Sequence, residues 1–448
     1  MNLENQSNST TNKLLLLLFG LVLVVKLVLA YFVPLGFDEA YYWVWSHHLQ
    51  LSYFDHPAMI SWLLRLGHLF EDWGYLVRMP IVLIGHLTLL VWWFILREAG
   101  LSLASKKLFY LLALSLPFLG VGSIVATPDV PVVFFWSLST LLFIQYWKKP
   151  TLGVSIAFGA ALGLGFCSKY HIVLFPVFAL LAVLHQKKWE LLKPKFLLTI
   201  IISGLIFSVP VLLWNYQNDF ASFKFQLNHG FVKKSWSPLW IIEYFVSQIL
   251  LVGPVVIYLA INKLNKNLVV HAFLGFGTLI FFAIANFKAP GEANWPVIGY
   301  FSLLALAVST GLKQKALRMQ AILYMGISSL AVALMFIPQT QKNLGKLSEP
   351  QEFRQYAQEL KNYEPLYCSK YQLCSVLWFE LKRPIYKIPE ISRRDFFDTL
   401  TTKESFPDFF YVVVDTGREF PPWFLETFTS INKIKILGQD LELYEVKR

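Results

Sequence analysis

The sequence predicts a polytopic α-helical membrane protein with a small α/β domain at its C-terminal end. Of its 448 residues, 56% are hydrophobic and only 15% are charged, whereas soluble domains carry about 25% charged residues. The apolar residues form blocks that approach the roughly 20 residues needed to cross a bilayer. Residues 338–448 contain no such block and are rich in charge. We therefore divide the chain into a transmembrane module, 1–337, and a C-terminal domain, 338–448.

The apolar blocks predict about eleven transmembrane helices. They cover residues 14–32, 80–96, 108–125, 130–146, 152–166, 172–185, 196–214, 239–261, 268–285, 297–312 and 319–337. The first block could be a signal peptide, since Val28-Leu29-Ala30 resembles a cleavage site. However, Lys26 interrupts its apolar core and the rest of the chain is also membrane-spanning, so we expect the block to be retained. For Lys26 we favour an interhelical ion pair or snorkelling over a functional role.

The C-terminal domain mixes strand and helix patterns. Residues 409–415 and 434–443 read as strands, and residues 353–362 and 420–429 read as helices. Cys368 and Cys374 lie six positions apart in this domain. In an oxidising compartment they would form a disulfide; the alternative is two buried thiols.

The distribution of basic residues predicts the orientation in the membrane and argues against nucleic acid as a partner. With the N-terminus in the cytoplasm, the cytoplasmic loops hold fifteen basic residues: Lys13, Arg97, Lys106, Lys107, Lys148, Lys149, Lys187, Lys188, Lys193, Lys195, Lys263, Lys266, Lys313, Lys315 and Arg318. The longer outer loops hold only seven: Arg65, Arg78, Lys169, Lys224, Lys233, Lys234 and Lys288. Cytoplasmic loops collect Lys and Arg, so an odd number of spans places the C-terminal domain outside the cytoplasm.

Unusual polar residues gather in the predicted outer loops. The first outer loop, 34–79, holds Asp38, Glu39, Tyr53, Asp55, His56 and Arg78. Later outer loops hold Asp129, Lys169, His171, Asn215, His229, Lys288, Glu292 and Asn294. Asp38 and Asp55 precede two short helical patterns rich in Trp, Tyr and Leu, which they could cap, and which we expect to lie at the membrane interface. Capping alone leaves the other polar residues of this face unexplained.

A pocket of carboxylates, cations and amides suits an anionic substrate rich in hydroxyl groups. We expect Arg78 and Lys169 to hold a phosphate, the alternative being ion pairs with Asp55 or Asp129. Sugar hydroxyls would meet Tyr53, Asp55, His171, Asn215, His229, Lys288, Glu292 and Asn294. Because no nucleotide pool exists outside the cytoplasm, an activated donor there must come through the membrane, and a lipid-linked phosphosugar meets that demand.

Six ordered motifs resemble those of bacterial membrane glycosyltransferases. They are DEAYYWVWS from Asp38, LSYFDHP around Asp55, the later Arg78, ATPD at 126–129, GLGFCSKYH at 163–171 and EANWP at 292–296. This pattern is similar to the group that includes protein O-mannosyltransferases and the lipid A aminoarabinose transferase. The resemblance covers about residues 10–340.

The resemblance implies a C-type glycosyltransferase architecture and an inverting transfer of sugar from a polyprenyl monophosphate. Asp38 matches the catalytic-type carboxylate that follows the first span, with Glu39 beside it, and Asp129 matches a second acid. His56 occupies a position near the donor phosphate where relatives can carry Lys, and a histidine is only partly protonated near neutral pH. The acceptor would be a glycolipid, lipid A, another glycan or a protein. Metal use is not a general feature of the group and no residues here have clean metal-ligand spacing, so we expect no cofactor.

Two other functions remain open from the sequence. A transporter or flippase of lipid-linked sugars would place polar residues and broken helices at mid-membrane, often with a repeat between halves, and the sequence shows neither. A structural or assembly protein with an outer sensory domain would leave the one-sided polar clusters unexplained.

Overall fold

A computed structural model describes residues 3–231, 237–262, 268–337, 349–438 and 440–448. These residues form two compact units. The helical unit comprises Met1–Val33 and Pro57–Leu330, and the sheet unit comprises Pro34–His56 and Ala331–Arg448. The sequence suggested a boundary only near residue 337. In the structure the first part of the predicted outer loop, Pro34–His56, groups with the C-terminal residues.

Most of the helical unit is built from apolar helices. In chain order the α-helices of both units are α1 (Leu3–Phe32), α2 (Phe37–His47), α3 (Met59–Gly67), α4 (Met79–Glu98), α5 (Leu103–Ser115), α6 (Asp129–Lys148), α7 (Leu152–Phe166), α8 (Leu174–His185), α9 (Pro194–Gln217), α10 (Ala221–Phe231), α11 (Pro238–Val252), α12 (Pro254–Asn262), α13 (Val269–Asn286), α14 (Val297–Ser309), α15 (Gln314–Leu334), α16 (Glu349–Leu360), α17 (Tyr371–Leu381) and α18 (Pro422–Thr427).

Among the described residues, six helices are long and apolar enough to cross a membrane: Leu15–Phe32, Leu76–Glu98, Asp129–Lys148, Pro194–Gln217, Val269–Asn286 and Gln314–Leu334. A seventh is added if α11 and α12, which meet at 92°, form one broken span. Shorter apolar helices are Met59–Phe70, Leu152–Phe166, Tyr170–His185 and Val297–Ser309. The structure thus has several apolar helices, as predicted, but the number of eleven spans stays a prediction.

Two predicted spans are not continuous helices. The block 108–125 contains α5, which ends at Ser115, and then a separate 3-10 helix at Val121–Ile124. Leu116 is extended because it precedes Pro117, and a residue before proline avoids the helical region. The block 239–261 is broken at Gly253, whose φ of 96° is accessible mainly to glycine.

Close packing of α7 on α9 fixes the end of α7. A Cβ on Gly159 would lie 2.3 Å from the carbonyl oxygen of Ile200, and a Cβ on Gly163 would lie 2.5 Å from that of Gly204. Small residues four apart allow two membrane helices to approach this closely. The chain that leaves α7, and with it Lys169, therefore starts from a rigid helix pair.

The sheet unit contains a five-stranded mixed sheet. Its strands are β1 (Leu366–Cys368), β2 (Tyr386–Lys387), β3 (Phe409–Asp415), β4 (Ser430–Leu437) and β5 (Leu441–Lys447), in the order β2-β1-β3-β5-β4. β1 pairs in parallel with β2 and β3, whereas β5 is antiparallel to β3 and β4. A small sheet is thus present at the C-terminal end, and the predicted strand β3 and the disulfide between Cys368 and Cys374 are confirmed.

The single strand predicted at 434–443 is wrong. The structure places the end of β4 and the start of β5 there, as two antiparallel strands. Gly438, with a φ of 62°, provides the turn after β4. The flanking Ile, Leu and Glu residues continue the strand pattern on both sides, so the alternation alone did not reveal the turn.

Helix α2 belongs to the core of the sheet unit. All its residues from Glu39 to Ser46 are buried. Trp43 packs edge-on against Phe379 of α17, with ring centroids 5.0 Å apart, and Tyr41 lies 4.4 Å from Tyr371. The expectation that α2 is an interfacial helix is therefore wrong, because its aromatic residues pack against protein.

Candidate functional site

Asp38 and Glu39, two adjacent acids at the start of α2, have different environments. Asp38 is exposed, and the Tyr371 hydroxyl, on the first residue of α17, donates a hydrogen bond to its Oδ1 at 3.3 Å. Glu39 is buried, and its Oε2 accepts a hydrogen bond from the backbone N–H of Gly36 at 2.8 Å. Glu39 therefore closes the first turn of α2, whereas Asp38 faces out with its carboxylate held by a tyrosine.

Asp55 is buried and held from two sides. Its Oδ2 accepts a hydrogen bond from the Tyr41 hydroxyl at 2.9 Å, and its Oδ1 accepts one from Arg393 Nη1 at 3.0 Å. It does not cap a helix as predicted, because α3 begins at Met59 and has Ala58 at its N-cap. The predicted capping role is therefore wrong, because the carboxylate accepts hydrogen bonds from Tyr41 and Arg393, which are distant in the sequence.

Arg393 also contacts Tyr371. The guanidinium carbon lies 4.9 Å from the centroid of the Tyr371 ring. Burial and the charge of Asp38 raise the pKa of Tyr371 above its ordinary value, so its hydroxyl keeps its proton and acts as a donor. Burial and the charge of Asp55 likewise raise the pKa of Tyr41. Both tyrosines thus present neutral O–H groups to carboxylates.

Tyr53 and His56 lie in the same segment of the sheet unit. Tyr53 is fully buried, and its hydroxyl lies 3.0 Å from the carbonyl oxygens of both Trp45 and His48. Its ring stacks on Trp45 at 4.2 Å. These contacts fit a residue that shapes the loop after α2 better than one that binds a substrate. His56 is half-buried, with its ring 6.2 Å from that of Tyr42.

In the helical unit, three predicted residues from separate loops form one polar cluster. Lys169 Nζ donates to Asp129 Oδ1 at 2.7 Å, and Asn294 Nδ2 donates to Asp129 Oδ2 at 2.8 Å. Asp129 begins α6, Lys169 precedes the 3-10 helix that leads into α8, and Asn294 lies between α13 and α14. Lys169 is buried. The carboxylate therefore fixes both the amine and the amide.

A cavity of about 150 Å³ adjoins this polar cluster. Asp129 and Asn294 form part of its wall. The other lining residues are mostly small or apolar: Gly85, Thr88, Phe118, Leu119, Gly122, Ser123, Val125, Thr127, Val130, Val133, Val297 and Phe301. A polar group that enters the cavity would meet the carboxylate and the amide at one side.

Arg78 and His171 are also in the helical unit. Arg78 is fully buried at the last residue of a short 3-10 helix, directly before α4. His171 is half-buried, with its ring 5.0 Å from Phe282 and 5.8 Å from Trp295. The Arg78 side chain is thus shielded from bulk water, which strengthens its interaction with any anion that reaches it.

The remaining predicted residues do not join the polar cluster through any described contact. Asn215 is fully buried and ties α9 to α10, since its Oδ1 accepts from the backbone N–H of Phe223 at 3.3 Å. Lys288 and Glu292 are exposed between α13 and α14. His229 belongs to α10, but its side chain lies outside the described residues.

Three residues that contact the predicted acids were missed from the sequence: Tyr41, Tyr371 and Arg393. Tyr41 lies inside the DEAYYWVWS motif, where it is one of several aromatic residues. Tyr371 and Arg393 lie in the C-terminal segment, where no motif draws attention. The one available signal was the pair Cys368 and Cys374, which brackets Tyr371.

The chain is similar to known membrane glycosyltransferases. Residues 55–214 match the family described as dolichyl-phosphate-mannose-protein mannosyltransferase. The lipid A galacturonosyltransferase RgtD of Rhizobium johnstonii is 24% identical over 64% of this chain and 64% of its own length. The undecaprenyl phosphate-alpha-4-amino-4-deoxy-L-arabinose arabinosyl transferase of Edwardsiella ictaluri is 29% identical over 42% of this chain and 35% of its own length. The alignments thus span less than two thirds of either relative.

Solved structures share the fold over almost the entire chain. The crystal structure of ArnT from Cupriavidus metallidurans in the apo state has a TM-score of 0.70 and 15% identity, and covers 97% of this chain and 98% of its own. The structure of the same protein bound to undecaprenyl phosphate has a TM-score of 0.67 and covers 96% and 97%. This chain therefore has an ArnT-like fold, and its predicted resemblance to polytopic membrane glycosyltransferases of the C type is confirmed.

Proposed function

We propose that this protein is an inner-membrane glycosyltransferase that moves a sugar from a polyprenyl-phosphate donor to an extracytoplasmic acceptor. The observation that carries this proposal is the convergence of Asp129, Lys169 and Asn294 in one polar cluster. Each belongs to a different motif of the glycosyltransferase pattern. In the sequence, Asn294 lies 165 positions from Asp129.

The cations suit the phosphate of the donor. As the bond between the anomeric carbon and the phosphate oxygen breaks, that oxygen keeps the electron pair and the phosphate gains negative charge. Lys169 and Arg78 are both buried, and fixed cations in a dry environment stabilise charge that develops in the transition state. In this proposal Asp129 orients the Lys169 amine, and Asn294 orients Asp129. His56 supports the phosphate to the extent that it is protonated.

Asp38 is the carboxylate that we assign to the acceptor. It is exposed, so a substrate can reach it. If the acceptor is a hydroxyl group, Asp38 takes its proton as the new bond forms to the anomeric carbon, with inversion at that carbon. If the acceptor is a phosphate group that is already ionised, no base is needed and Asp38 orients the acceptor or the sugar.

The relatives favour undecaprenyl phosphate as the lipid carrier and lipid A as the acceptor. One relative is named for galacturonosyl transfer to lipid A, and the other for an undecaprenyl phosphate-linked aminoarabinose. The basic residues of the loops support a cytoplasmic N-terminus and an extracytoplasmic sheet unit. The disulfide of that unit is consistent with an oxidising compartment.

Transport of a lipid-linked sugar is the second candidate, and the break between α11 and α12 is the feature that favours it. Transporters use the free ends of broken helices to bind substrates. In this chain the backbone groups at the break are bonded to the side chain of Gln320. Its Oε1 accepts a hydrogen bond from the backbone N–H of Val255 at 2.9 Å, and its Nε2 donates one to the carbonyl oxygen of Val252 at 3.3 Å. These backbone groups at the break therefore already have a hydrogen-bond partner within the protein.

The two candidates differ in their products. Purified protein in nanodiscs should release undecaprenyl phosphate from an undecaprenyl-phosphate sugar only when an acceptor such as lipid A is present, and mass spectrometry should show the acceptor gaining one sugar. Lys169→Ala serves as the inactive control. Movement of the intact donor across a vesicle membrane without release of undecaprenyl phosphate would overturn the transferase proposal and support the transporter.

A further inference from the structure

One arginine of the C-terminal segment is linked directly to Asp55 and, through Tyr371, to Asp38. Arg393 Nη1 donates to Asp55 Oδ1 at 3.0 Å. The same guanidinium lies 4.9 Å from the ring centroid of Tyr371, whose hydroxyl donates to Asp38 Oδ1 at 3.3 Å. All four residues belong to the sheet unit. The contacts form a chain from Asp55 through Arg393 and Tyr371 to Asp38.

We infer that Tyr371 and Arg393 are positioning residues of the transferase: Arg393 fixes the Tyr371 ring, and the Tyr371 hydroxyl fixes the Asp38 carboxylate for the acceptor. This inference rests on the proposed role of Asp38. Asp38 is exposed in the first turn of α2, where an unrestrained carboxylate would sample several rotamers. A hydrogen bond from a neutral phenol selects one orientation and favours the ionised carboxylate, which both proposed roles of Asp38 need.

The surroundings of Tyr371 hold it in place. The disulfide between Cys368 and Cys374 closes a short loop around it. Within that loop, Ser369 Oγ and Lys370 Nζ donate to the two carboxylate oxygens of Asp415, at 3.1 and 2.5 Å. Asp415 ends β3, so the start of α17 is tied to the sheet. The disulfide and these hydrogen bonds therefore hold the backbone of Tyr371 in a fixed position.

The surroundings of Arg393 are equally well defined. Lys387 Nζ donates to the carbonyl oxygen of Arg393 at 2.9 Å and to Asp395 and Asp398 at 2.7 Å each. Lys387 is fully buried. The backbone beside Arg393 is thus fixed from the core, while its side chain remains 48% exposed and its guanidinium carbon lies 4.9 Å from the centroid of the Tyr371 ring. That combination suits a side chain that orients a neighbour at a surface.

A purely structural role for these contacts makes a different prediction. If Arg393 served only to neutralise the buried Asp55, a lysine would replace it, because a lysine amine carries the same charge. A lysine amine is a single compact charge without the several fixed donors of a guanidinium, so it cannot contact both Asp55 and Tyr371 as Arg393 does. Arg393→Lys therefore separates neutralisation of Asp55 from positioning of Tyr371, and it keeps beside the buried Asp55 the positive charge that Arg393→Gln would remove.

The test compares Tyr371→Phe and Arg393→Lys with two controls in the same unit, Tyr411→Phe and Arg394→Lys. We expect each test variant to lower kcat about tenfold with the donor KM unchanged, which is less than the roughly 10²–10⁴-fold effect of losing a general base itself, because Asp38 is still present. The kcat of the double variant should be at most about twofold lower than that of either single variant, because both substitutions act through Asp38. In Tyr371→Phe the acidic limb of the pH–rate profile should move to higher pH, since a hydrogen bond that favours the carboxylate is lost.

A second measurement does not depend on activity. Carbodiimide labelling of Asp38, followed by peptide mass spectrometry, should be faster in Tyr371→Phe and Arg393→Lys than in the wild type or the controls. Unchanged labelling and unchanged kcat would overturn the positioning role. Faster labelling in a protein that has no transferase activity would instead leave the positioning of Asp38 intact and overturn the proposed function.

Discussion

The amine of Lys169 donates a hydrogen bond to the carboxylate of Asp129 at 2.7 Å, across 40 positions of sequence. Both side chains are largely shielded from solvent, at 8% and 16% exposed. A buried ion pair adds little net stability, because desolvation offsets the attraction. We therefore interpret the pair as a way to hold a cation ready for a ligand anion.

Lys169→Ala should cut kcat by about 10²-fold or more, since one electrostatic donor to a transition state is worth about 3–4 kcal/mol. Lys169→Arg should recover part of this loss by keeping the charge. The matched control is Lys148→Ala, which breaks the more exposed ion pair with Glu98. That control should retain turnover and lose at most about 1 kcal/mol of stability. A fully active, folded Lys169→Ala protein would remove Lys169 from the site.

Asp38→Asn should show which kind of acceptor is used. The amide keeps the shape of the side chain but cannot take a proton. A loss of kcat of about 10²-fold or more would indicate a hydroxyl acceptor that needs a base, and a loss below about tenfold would indicate a phosphate acceptor.

Asp38→Ser distinguishes catalysis from helix stabilisation. The predicted capping role of Asp38 is wrong, because Gly36 is the N-cap of α2 and Asp38 lies in the first turn. Asp38→Ser therefore removes the carboxylate from the first turn and keeps a small polar side chain there. Full activity of Asp38→Ser in a well-folded protein would contradict the assignment of Asp38 to the reaction. We expect this variant to be folded, by circular dichroism and thermal melting, and inactive in sugar transfer.

Loss of the disulfide should loosen the start of α17. The loop closed by Cys368 and Cys374 is short, so Cys374→Ser should lower stability by only about 2 kcal/mol. Hydrogen exchange should rise in residues 366–375. In the unfolded, unreduced wild type, a thiol reagent should label only Cys167, which is the internal control. Labelling of three cysteines would show that the bond does not form.

Acid should weaken the sheet unit through Asp415. Burial opposes ionisation of this carboxyl, but Lys370, Arg418 and Ser369 outweigh burial and lower its pKa below the ordinary value. The ionised form thus contributes stability that is present above the unfolded pKa, about 4, and is lost as pH falls through the folded pKa. As the pH falls from 5 to 3, the opening that allows amide hydrogen exchange in β3 and β5 should increase more steeply in the wild type than in Asp415→Asn. Equal slopes would contradict this role.

Reporter fusions should test the orientation. A fusion after Arg448 should be active only outside the cytoplasm, and one after Lys149 only inside, because the predicted cytoplasmic loops hold most of the basic residues. Lys149 follows the last residue of α6, at the opposite end from Asp129. Swapped signals would contradict the orientation on which the extracytoplasmic acceptor depends.

Local features of this fold were predictable, and distant contacts were less so. The apolar run FFYVVVD predicted β3 correctly, because a buried strand needs a continuous apolar segment. In contrast, Tyr371 and Asp38 are 333 positions apart, and no local pattern connects them. Asp129, Lys169 and Asn294 were found individually because each is a polar residue on a tight turn next to an apolar helix. Their mutual hydrogen bonds were visible only in the folded chain.

The sheet unit is built from two segments that lie far apart in the sequence, so the ribosome makes one long before the other. Its first segment, Pro34–His56, is made well before its partners, Ala331–Arg448. Translation proceeds at about 5–20 residues per second, so the aromatic residues of α2 wait roughly 15–60 seconds for the surface that covers them. A chain that stops before residue 331 exposes those aromatic residues and cannot bring Arg393 to Asp55. An incomplete chain of this kind therefore presents an apolar surface that proteases can recognise.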